Sequence, residues 1–123
     1  LFSTIQEIRD FMKLVPETVG LLLDLGHLNV SSTINKFDRN LFLEEYLDEF
    51  GEKVMEVHIS ENNGWKDEHL PLKQNSWQLD ALSLIKKITT KNNFKRIYCL
   101  ETRNATQEEL SKSLNSVKAV LTV

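Results

Sequence analysis

The feature that most constrains this chain is a pattern used three times: a short apolar run, a polar segment, then a stretch with apolar residues at helical spacing. The runs are "VGLLLDL", "KVMEVHIS" and "RIYCLET", and the pattern recurs roughly every 35 to 40 residues. A short continuous apolar run reads as a strand buried on both faces, as in parallel sheets, whereas a strand with one wet face alternates. Strands alternating with helices specify βα units. The strands are predicted at about residues 19–24, 54–59 and 96–101, adjacent in sequence order with helices on one side, because crossovers between parallel strands are right-handed.

Capping chemistry places the helices. In "TIQEIRDFMKLV", Ser3 or Thr4 is the cap, Glu7 completes a capping box, and Pro16 ends the helix. A polar segment from about Gly26 to Lys36 reads as loop. "FDRNLFLEEYLDEFG" reads as a helix running from a cap at Asp38 to a stop at Gly51. After the second run a long loop reaches about Ser76, followed by a helix over "WQLDALSLIKKITTKNN" with Leu79, Leu82, Ile85 and Ile88 apolar. Lys86, Lys87 and "KNNFKR" read as the solvated end of that helix, suited to its dipole. Thr106 caps the last helix with Glu109 three residues on, and Leu110, Leu114, Val117 and Leu121 form its apolar face.

With 123 residues, 41% hydrophobic and 27% charged, and a net charge of −3, the composition fits one soluble domain. Lysine and arginine are interspersed with acids instead of forming the basic patch that phosphate binding needs, so nucleic acid is not the expected partner. The single cysteine, Cys99, lies in an apolar run and reads as an inert buried thiol in a reducing cytoplasm. No run approaches the ~20 apolar residues of a membrane span, so no membrane partner is expected. The chain opens on Leu1 without an initiator methionine, as a piece of something longer would.

The candidate site follows from where the polar residues fall. Asp24 and His27 follow the first run, His58 closes the second and Glu101 closes the third. The C-terminal edge of parallel strands is where α/β sites form, so side chains from three strands can meet at one point. Two carboxylates and a neutral imidazole suit Mn²⁺, Mg²⁺, Co²⁺ or Zn²⁺. Singly each has a plainer reading: Asp24 as a cap, His58 as a core histidine, Glu101 as an ion-pair partner of Arg103. Together, on successive strands, they point to a shared metal site. Trp65, beside Gly64 in a polar loop, is a candidate for stacking on a ligand, whereas Trp77 reads as an anchor for its helix.

Taken in order, "GLLLDLGH", "EVHISEN", "DEHLPL" and "CLET" resemble the later strands of the xylose isomerase-like TIM barrels, a superfamily that includes sugar phosphate isomerases/epimerases and type IV AP endonucleases. The resemblance spans nearly the whole chain and implies strands six to eight, with Asp24, His58 and Glu101 as metal ligands and a further glutamate from strand five that this chain lacks. A full barrel takes about 250 residues. The chain is therefore expected to be an incomplete C-terminal half, prone to self-association through open barrel edges.

In the isomerase branch the resemblance implies a sugar or sugar phosphate substrate, with Glu101 as one of an acid–base pair and His27 acting beside it. His27, Trp65, Asp67 and His69 are then the substrate contacts. In the endonuclease branch it implies that His27, Asp67 and His69 hold an additional zinc. The chain departs from both patterns at Glu61, where the family more often has Asp, and at "LKQNSWQLD", which replaces a Gly-x-Gly segment. A non-catalytic half-barrel module is the third reading.

Overall fold

The computed structural model describes residues 4–122. Strands β1 (Leu21–Asp24), β2 (Val54–Ile59) and β3 (Ile97–Leu100) form one parallel sheet in the order β1-β2-β3. Order and direction are as the repeat predicts, and the outer two strands are slightly shorter. Among the described residues no helix is long and apolar enough to cross a membrane.

The register puts Leu22, Glu56 and Ile97 in one row and Asp24, His58 and Cys99 in the next. Because side chains alternate along a strand, both rows share one face. Leu23, Val57 and Ile59 take the other face, buried in a core that also holds Leu25, Leu28, Leu47, Leu82 and Ile85. The first run is therefore not buried on both faces as expected, since Leu22 is 49% exposed, and in the third run Ile97 on the same face is 52% exposed. Helices cover one side of the sheet and leave these two rows on the other.

Helix α1 (Ile5–Leu14) is capped by Thr4, which forms the expected box with Glu7; Ser3 lies outside the described residues. It buries no residue completely, but Ile5 and Ile8 pack against the core, and Arg9 forks onto Glu49 of α3 (Arg39–Phe50). The expected polar loop over residues 26–36 is mostly a helix, α2 (Leu25–Ile34). Its glycine, asparagine, serines and threonine are poor helix formers. Two things override them: Asp24 Oδ1 accepts the His27 N–H at 2.8 Å as an N-cap, and Leu25 and Leu28 are fully buried.

Asp38 caps α3 as expected, accepting from the N–H groups of Asn40 and Leu41. Gly51 is not a left-handed stop. Its φ is −54° and the chain runs on into a 3₁₀ turn; glycine makes room there, since a Cβ would lie 2.9 Å from Ile88 Cδ1. Helix α4 (Trp77–Ile85) is capped by Ser76 and ends earlier than predicted, before the β-branched run Ile88, Thr89, Thr90. In α5 (Gln107–Leu121) Thr106 and Glu109 form the expected capping box and Val117 is buried, but Leu110 and Leu114 are partly exposed.

The segment read as a solvated helix end contains a structural anchor. The Arg96 guanidinium donates to the carbonyls of Val54 and Ile85 at 2.7 Å, Gly51 at 3.0 Å and Ile88 at 3.3 Å. It thereby satisfies carbonyls that the ends of α3 and α4 leave open and ties both to the start of β2.

Candidate metal centre

The loop after β2 is shaped by its own backbone and by α2. Glu61 and Leu70 exchange two N–H···O bonds of 2.9 Å, an antiparallel bridge that turns the loop back on itself. Asn63 Oδ1 accepts the N–H groups of Trp65 and Lys66, and Gly64 takes φ +84°. Buried Asn62 donates to Gly26 O at 2.9 Å and accepts from Asn29 Nδ2 at 2.7 Å, which pins the loop to α2. His69 is buried with a left-handed backbone, φ +54°, and its carbonyl accepts the Arg103 N–H at 2.9 Å. The loop's histidine is thus drawn to the end of β3.

Six side chains meet there. Asp24, His58 and Glu101 each offer a ligand atom, and the three atoms lie within 4.8 Å of one another. His58 Nδ1 stands 3.3 Å from Glu101 Oε2 and 3.9 Å from Asp24 Oδ2. Ligands ~2.1 Å from one ion lie ~3 to 4 Å apart, so the spacing suits a divalent cation. His27, Asp67 and His69 form a second such set, with Asp67 Oδ2 2.9 Å from His27 Nε2 and 2.8 Å from His69 Nε2. The sets are joined, since His27 Nδ1 is 3.3 Å from Asp24 Oδ2 and His69 Nδ1 is 3.7 Å from Glu101 Oε2.

All three histidines of the chain and three carboxylates therefore close a ring. Asp24 Oδ1 caps α2 while Oδ2 faces the ring. Trp65 is 66% exposed in the turn leading to Asp67. Trp77 packs against the core as an anchor, with the Arg39 guanidinium 4.0 Å over its ring. Glu61, where the motif departs, is buried and accepts a hydrogen bond from the Ser76 hydroxyl. Sequence reasoning missed Glu56, whose Oε1 lies 2.8 Å from His58 Nε2. Strand parity was the available signal, because residues two apart share a face.

Burial alone would lower the pKa of His58, but the Glu56 hydrogen bond and the charges of Glu101 and Asp24 outweigh it and hold the imidazole above its ordinary 6.5. Burial would raise Asp67, but its bonds to His27 and the charges of His27 and His69 leave it below the ordinary 3.8. The signs follow by linkage. Without metal, His58 contributes stability that is complete below pH 6.5 and is lost as pH rises through its raised pKa. Asp67 contributes stability that is complete above pH 3.8 and is lost as pH falls through its lowered pKa. Thermal unfolding of chelator-treated protein should show a decline above pH 6.5 that shrinks in His58→Gln. The affinity of any metal held through His58 would run the other way, rising with pH as the proton leaves the ring.

No family model matches the chain, and neither a curated protein nor a solved structure matches it.

Proposed function

We propose that the chain is the C-terminal part of a xylose isomerase-like TIM barrel and carries the metal-binding edge of a divalent-metal-dependent isomerase or epimerase. The substrate class is a sugar or sugar phosphate, and the reaction moves a proton at a carbon next to a carbonyl. One observation carries the reading: Asp24, His58 and Glu101 converge from the C-terminal ends of three adjacent parallel strands. A bound divalent ion would act as Lewis acid on the substrate carbonyl and its neighbouring hydroxyl. Glu101 would act as one member of an acid–base pair that moves the proton between the two adjacent carbons. His27, half-exposed and held by Asp67 and Asp24, would orient a substrate hydroxyl.

A second reading, a zinc AP endonuclease of the type IV kind, is favoured by the joined set of His27, Asp67 and His69, because phosphodiester hydrolysis uses neighbouring metal ions. Metal analysis and two activity assays separate them. In the complete barrel, since this part alone is expected to be inactive, one divalent ion per chain with interconversion of an aldose and a ketose, or their phosphates, lost in His58→Ala, is the expected result. Two or more zinc ions with nicking of abasic duplex DNA, lost in His69→Ala, would overturn it.

A further inference from the structure

We infer that Glu56 is the positioning residue of His58: by accepting the Nε2–H hydrogen bond it fixes the tautomer whose bare Nδ1 faces Asp24 and Glu101. The inference rests on the metal reading above and adds a residue to it. Its geometry is direct. The Glu56 carboxylate is 2.8 Å from Nε2, while Nδ1 of the same ring is 3.3 Å from Glu101 Oε2 and 3.9 Å from Asp24 Oδ2. A neutral imidazole carries one N–H, and the nitrogen that holds it cannot bind a metal. With the proton committed to Glu56, the lone pair is left on the side where the ligand set lies. The opposite tautomer would aim an N–H at the ion.

The placement of Glu56 argues against a chance surface pair. It occupies the middle of the row Leu22, Glu56, Ile97, so both cross-strand neighbours are apolar. A partly covered carboxylate between leucine and isoleucine is unfavourable without a partner, and among the described residues no lysine or arginine pairs with it. His58, two residues on along the same strand face, supplies that partner. Carboxylates that hold the far nitrogen of a ligating histidine orient the ring and raise its basicity, and their loss weakens metal binding ~10- to 100-fold.

Two measurements on the protein test this. In ¹⁵N-resolved NMR of the metal-free protein, at a pH where His58 is neutral, its ring should be the Nε2–H tautomer, and Glu56→Leu should convert it to a mixture. In titrations with Zn²⁺ and Co²⁺, Glu56→Leu should weaken binding ~10- to 100-fold, with Glu56→Gln, which keeps an acceptor, between it and the wild type. An Nδ1–H tautomer in the wild type, or Glu56→Leu binding both ions as tightly as the wild type, would overturn the inference while leaving the ligand set intact. Wild type and His58→Ala giving the same titration would overturn the metal reading beneath it, and that failure is separately recognisable because the tautomer measurement needs no metal.

Discussion

Replacing Asp24 by asparagine is expected to abolish tight divalent-metal binding while leaving α2 folded. The two carboxylate oxygens do different work: Oδ1 accepts the His27 N–H and Oδ2 faces His58 and His27. Asparagine caps helices as well as aspartate does, so the first role survives; alanine removes it at a cost of about 1 kcal/mol. The second role needs the charge. Residues that merely support a metal ligand change affinity by ~10- to 100-fold, so losing a ligand should exceed ~100-fold. Calorimetric metal titration combined with thermal unfolding of metal-free protein at a pH where His58 is neutral checks both parts: Asp24→Asn should lose metal binding and keep the cap's stability, and Asp24→Ala should lose both. An Asp24→Asn protein that binds metal like the wild type would remove Asp24 from the ligand set and leave it a cap alone.

The second large effect is on stability and lies at the opposite end of the sheet. Arg96→Met keeps the aliphatic stem but deprives the carbonyls of Gly51, Val54, Ile85 and Ile88 of their donor. Gly51, Val54 and Ile85 are buried residues, so water does not readily replace the guanidinium. A hydrogen bond from a charged group contributes about 1.5–3 kcal/mol and a stranded buried acceptor costs about 1–3 kcal/mol, without strict additivity. A loss of about 3–5 kcal/mol is therefore expected in urea unfolding, a large share of a small domain's total stability. Arg96→Lys should recover little, because a single ammonium cannot reproduce a planar fork aimed at several acceptors. A loss below about 1 kcal/mol would show that the carbonyls find other partners.

The contrast between these residues shows what a sequence displays of its fold. Local rules were readable: the capping boxes of Thr4 with Glu7 and Thr106 with Glu109, the Asp38 cap, and the order of the three strands all depend on neighbours in the chain. The ligand candidates Asp24, His58 and Glu101 were readable because strand ends and sheet edges coincide in a parallel sheet. Helix α2 was not, because its residues disfavour a helix and burial of Leu25 and Leu28 against the sheet decides the matter. Arg96 was hidden for a similar reason. Its four acceptors are 8 to 45 residues away in sequence, and a basic cluster near a helix end looks solvated until the fold brings those carbonyls together. How the loop of Asp67 and His69 reaches the ring was also unreadable, since it depends on the Glu61–Leu70 bridge and on Asn62.

His69 is where these two levels conflict. Its left-handed backbone, at φ +54°, suits glycine or asparagine, and a histidine there is disfavoured by about 1–2 kcal/mol. The imidazole nonetheless reaches Asp67 and the Glu101 carbonyl from that position. Selection for folding alone would let such a residue drift toward glycine, while selection for the ring's chemistry would hold it in place against that gradient. Position 69 is thus an evolutionary gauge: in descendants of this chain that had lost the chemistry, the left-handed backbone would favour glycine there, and only the buried bonds to Asp67 and the Glu101 carbonyl would still hold the histidine.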